Sequence, residues 1–125
     1  MNRIKLALAA TGVALLIAGS SAPAASAGVS HFCEFGFSAQ TQCGDSTYLL
    51  SAAVFIDANS NHSMCIGSSS HSGYYPSLSG FSALKCLVGS GYVSKNVNSM
   101  PDPYAAVGNT NTSTAISISQ AHVSW

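Results

Sequence analysis

Four histidines (His31, His62, His71, His122), four carboxylates (Glu34, Asp45, Asp57, Asp102) and four cysteines (Cys33, Cys43, Cys65, Cys86) are the side chains of this chain best equipped for proton transfer, ion binding or covalent chemistry. Serine is so abundant that some Ser-His-Asp combination exists on paper. However, no serine stands in the Gly-x-Ser-x-Gly elbow that strains and exposes a hydrolase nucleophile. His122 falls on the face opposite Val123 and Trp125 in an alternating segment and is expected to face solvent. Glycoside cleavage needs two acids about 5–10 Å apart. Spacing does not single out such a pair, and Asp57 and Asp102 have the neighbours of turn-capping residues. No catalytic set is expected.

Metal chemistry meets similar objections. His62 lies three residues before Cys65 and His71 six after it, but zinc layouts use close Cys pairs joined to a second close pair of Cys or His, which this chain lacks. Asp57-Ala58-Asn59-Ser60-Asn61 resembles the opening of a calcium loop, with Asp57, Asn59 and Asn61 supplying alternating oxygens. The match ends there, because His62 stands where the loop needs glycine and Ser68 where it needs a bidentate acid. Asx turns within a loop over Asp57–Ser63 account for the same residues. No metal or other cofactor is implied.

Rings are the remaining recognition chemistry. Tyr74 and Tyr75, ahead of Pro76, are the pair best suited to stack on a sugar face, and Tyr92 is a third candidate for ligand binding. In ordinary β domains such rings fill the core or anchor turns with the hydroxyl wet. The sequons Asn61-His62-Ser63 and Asn111-Thr112-Ser113 mark exposed loops.

What must position these groups begins with an export segment. Arg3 and Lys5 precede an apolar run from Leu6 to Ala18, and Ala25-Ser26-Ala27 offers a cleavage site, so residues 1–27 read as a secretion signal with the mature chain starting at Gly28. The apolar run is shorter than the roughly 20 residues of a membrane span. Residues 28–125 then form one secreted domain. It holds Lys85 and Lys95 against the four carboxylates, a balance unsuited to nucleic acid. Charged residues make up 6% of the whole chain, so hydroxyls and amides must carry solubility. In an oxidising compartment an even set of cysteines forms bridges, and proximity favours Cys33–Cys43 and Cys65–Cys86 among the three possible connectivities.

Short apolar runs separated by turn residues predict an all-β fold, a small antiparallel sandwich or partly open barrel. Phe32–Phe37 alternates, with Cys33, Phe35 and Phe37 on one face. Tyr48–Ile56 reads as a central strand, with a buried helix over Tyr48–Phe55 as its rival. Met64–Gly67 is a short strand and Ser68–Gly73 a loop. Phe81–Val88 and Tyr92–Val97 form a hairpin through Gly89-Ser90-Gly91, with Leu84, Cys86 and Val88 on one face. Asn98–Pro103 breaks the pattern, Tyr104–Gly108 is a strand and Asn109–Thr112 a turn. In the last segment Ile116 and Ile118 are out of phase with Ala121, Val123 and Trp125, which requires a bulge or break at Ser119 or Gln120. The function expected is that of a non-enzymatic extracellular structural or interaction component. A carbohydrate- or wall-binding module is the alternative, and a protease inhibitor or toxin a more distant one. The partner would be an extracellular polysaccharide or protein.

Overall fold

The computed structural model describes residues 28–48 and 53–125; residues 1–27, read above as a secretion signal, lie outside them. The described residues form ten strands and no helix: β1 (Val29–His31), β2 (Gly36–Phe37), β3 (Thr41–Tyr48), β4 (Val54–Ser60), β5 (Met64–Ser69), β6 (Gly73–Tyr75), β7 (Phe81–Leu87), β8 (Gly91–Val97), β9 (Tyr104–Asn109) and β10 (Ile116–Ser124). None of these residues belongs to a helix long and apolar enough to cross a membrane. Two antiparallel sheets result. The first runs β1-β10-β4-β8, with β2 also paired to β10, and the second runs β6-β3-β9-β5-β7. The fold is therefore a sandwich and not a closed barrel.

Inward positions follow from alternation. In β4, Val54, Ile56 and Ala58 enter the core while Phe55, Asp57 and Asn59 face outward. Cys43, Met64, Ile66, Ala105 and Val107 meet them from the second sheet, and Phe32 and Phe37 join the same core. In β10 the pairing passes from Ile118↔Ser60 to Gln120↔Asn59, so Ser119 is the extra residue. Ile116, Ile118, Ala121 and Val123 are all buried as a result, and Trp125 packs partly against them. The bulge expected from the broken phase is present.

Both expected bridges are formed. Cys33–Cys43 ties the loop after β1 to β3, and Cys65–Cys86 joins directly paired positions of β5 and β7. By loop-closure entropy each contributes about 3 kcal/mol.

Several elements differ from the sequence reading. Phe32–Phe37 is not one strand, because Cys33 takes a φ of 54° and breaks the chain between β1 and β2. Phe32 and Phe37 are consequently buried while Phe35 is 43% exposed. Tyr48–Ile56 is not a single central strand: Tyr48 pairs with Tyr104 in the second sheet, whereas Val54–Ile56 pair with β8 and β10 in the first. Half of the helix alternative, residues 49–52, lies outside those described, and Val54 and Phe55 belong to β4. Asp57–Ser60, expected in a loop, is the second half of β4, and Ser68–Ser69 belongs to β5.

The hairpin over residues 81–97 is also corrected. Its two strands exist, but β7 pairs with β5 and β8 with β4, in opposite sheets. Gly89 and Gly91, with φ of 80° and 140°, turn the chain from one layer to the other. A register shift leaves Leu84 unpaired between Ala83 and Lys85. Leu84 and Leu87, three residues apart, thus reach the core, while Val88 is 92% exposed.

Candidate functional site

The outer face of the first sheet carries a row of polar residues that the register aligns across four strands. His31 pairs with His122, His122 with Asp57, and Asp57 with Ser94. His122 Nδ1 stands 3.0 Å from Asp57 Oδ1, but no hydrogen bond forms and this oxygen is left without a donor. Tyr92 donates its hydroxyl to Asp57 Oδ2 at 2.6 Å. The His31 and His122 rings meet edge to face, with centroids 4.2 Å apart. Only 15% of the His122 side chain is accessible, so the expected solvent-facing imidazole is instead covered by its neighbours across the strands.

Glu34 closes one end of the row. The Ala121 N–H donates to Glu34 Oε2 at 2.9 Å, and His31 Nδ1 lies 3.1 Å from the same oxygen. The backbone bond holds Glu34 below the usual carboxylate range; partial burial opposes this, while the His31 bond and the charges of His31 and His122 add to it. At the other end Tyr92 is pushed above 10.0, first by its bond to Asp57 and then by burial and the Asp57 charge; Ser94 acts in the opposite direction.

A second feature lies around the Cys33–Cys43 bridge. Phe35 stacks on Phe37 with centroids 5.0 Å apart, and Tyr74 approaches both rings at 6.3 and 6.1 Å. Phe35 and Tyr74 stay 43% and 46% exposed. Together with Phe32, Asp45 and Ser72 they border a cleft of about 410 Å³. The Phe35 loop is fixed from both sides, since its N–H donates to the Cys33 carbonyl at 3.1 Å and its carbonyl accepts from Ile118 at 2.9 Å.

The three tyrosines singled out by sequence do not share a surface. Tyr74 and Tyr75 are successive residues of β6 and point to opposite sides. Tyr75 stacks on His71 at 3.5 Å, and Tyr92 lies in the other sheet, 51% exposed and bound to Asp57. Two of the three calcium candidates share a face. Asp57 and Asn59 sit on the outer face of β4, and Asn61 Oδ1 accepts from the Ser117 N–H at 2.8 Å. All four cysteines are bridged, leaving no thiolate for His62 or His71 to join. Phe35, Glu34 and His31 were missed as site residues. The i to i+3 spacing of His31 and Glu34 was the available clue, but His122 reaches them only through the β1–β10 pairing.

Neither a protein-family model, nor a curated protein, nor a solved structure matches this chain.

Proposed function

We propose that the protein is a secreted, non-enzymatic interaction domain that engages its partner through the Phe35–Tyr74 surface. The observation that carries this reading is a pair of large rings left exposed beside a cleft that the Cys33–Cys43 disulfide lines. Exposed rings have a desolvation gain available on binding, and a fixed loop loses little conformational entropy when a partner docks. Two bridges and a surface of hydroxyls and amides suit an oxidising, extracellular setting.

A polysaccharide is the second reading, favoured by the lining of the same cleft. Tyr74 offers a ring for a sugar face, while Ser72 offers a hydroxyl for hydrogen bonds to it. Sedimentation of the purified protein with insoluble wall and polysaccharide preparations tests both readings. Retention that disappears in F35A and Y74A supports a carbohydrate ligand at this cleft. Retention unchanged in both variants removes the cleft from the interaction.

A further inference from the structure

We propose that His31, Glu34 and His122 form a binding site for one divalent transition-metal ion of the Zn²⁺ or Cu²⁺ type. One donor atom from each of the three residues lies within 4.8 Å of the other two. Metal–nitrogen and metal–oxygen bonds of about 2.0–2.2 Å need the ligands somewhat closer than that limit. The His31 side chain, 64% accessible, closes the difference by exchanging its 3.1 Å contact with Glu34 for the ion. Two imidazoles and one carboxylate form a set that favours borderline transition metals over calcium or magnesium, whose ligands are oxygens.

The surroundings of His122 support this choice. Asp57 Oδ1 lies 3.0 Å from its Nδ1, where a negative charge favours the tautomer protonated on that side, and an ion entering at Nε2 displaces the Gln120 amide, which lies 3.3 Å away. Tyr92 holds Asp57 in turn through its 2.6 Å bond. Tyr92 thus sets the Asp57 carboxylate beside His122 Nδ1, the side from which a carboxylate orients a metal-bound imidazole once the ring proton turns toward it. Glu34 is fixed by the Ala121 N–H, so two of the three ligands are held in place by the fold. Three protein ligands leave a coordination position open toward solvent, where water or a group from another molecule completes the shell. This site is separate from the Phe35–Tyr74 cleft and stands independently of its use.

Isothermal titration of ZnCl₂ into chelator-stripped protein with both disulfides formed tests the inference. The expected result is one ion per chain, with affinity reduced at least about tenfold in H31A and in H122A. The positioning variant D57N weakens binding about 10–100-fold, as removal of a ligand's outer partner does. E34Q separates ligation from folding, because the amide oxygen still accepts the Ala121 N–H while the charge is lost; it folds and binds more weakly. H62A and H71A leave the affinity unchanged. In NMR spectra Zn²⁺ moves the ring resonances of His31 and His122 and leaves those of His62 and His71 in place. Absence of saturable binding, or equal binding by wild type and the H31A/H122A double variant, overturns the proposal.

Discussion

Tyr92 and Asp57 are joined across adjacent strands of the first sheet, the phenol donating to Oδ2 at 2.6 Å over a separation of 35 residues. The bond favours the neutral phenol beside an ionised carboxylate, so Tyr92 titrates above 10.0. A group whose folded pKa is raised stabilises the fold fully below its unfolded value and loses that contribution as pH rises through the folded one. Absorbance at 295 nm should therefore resolve a late-ionising tyrosine that D57N returns toward 10.0. Melting temperature should fall less steeply above pH 10 in Y92F than in wild type. A Tyr92 that ionises with the other tyrosines refutes the linkage.

Gly67 sits at the register shift between β5 and β7, where an added Cβ would overlap the Ser82 carbonyl oxygen and lie 3.0 Å from the Ala83 Cα. Backbone atoms cannot move aside as a flexible side chain can. G67A is expected to lower unfolding free energy by about 1–3 kcal/mol, measured by urea denaturation. G89A serves as a contrast, because its Cβ meets nothing within 4 Å and only the φ of 80° opposes it.

Asn109 is fully buried and organises the connection from β9 to β10. Its Nδ2 donates to the Ser38 and Thr114 carbonyls at 3.0 and 2.8 Å, and its Oδ1 accepts from the Asn111 N–H at 3.0 Å. N109A is expected to destabilise by about 3 kcal/mol, since each buried polar group left unpaired costs about 1–3 kcal/mol. Amide exchange at Asn111 should accelerate in the same variant, and unchanged exchange there would contradict the assigned role.

The two bridges should separate by function although they contribute similarly to stability. Paired replacement of either by alanine should cost about 3 kcal/mol by loop entropy. Only C33A/C43A should weaken binding at the Phe35–Tyr74 surface, because Cys33 and Cys43 line that cleft and Cys65 and Cys86 do not. Differential scanning calorimetry with the sedimentation assay reads both effects.

Local pattern carried some of this architecture. The Ser119 bulge was legible because Ile118 and Ala121 cannot share a face without an extra residue, and the bridges because each closes a short segment. Pairing partners were not legible. Nothing near Gly89-Ser90-Gly91 indicates that β8 prefers β4 over β7, since that choice depends on residues more than thirty positions away. Asp57 was misread for a related reason. Asp, Asn and Ser in succession resemble a turn when read locally, yet Tyr92 and His122 supply partners that make an outward-facing aspartate acceptable in a central strand. The candidate metal site combines one local pair with a third residue delivered entirely by register.

The position of β10 affects the order in which the molecule can assemble. It lies between β1 and β4 and also holds β2. Before residues 116–124 leave the ribosome, β1 and β2 have no strand to join and β4 presents an unpaired edge. The first sheet therefore cannot close around the nascent chain, and a chain truncated before Ile116 should expose that edge to other molecules. Completion falls to β10, whose end also brings Trp125 into two backbone hydrogen bonds with Gly28, at 2.7 and 3.0 Å.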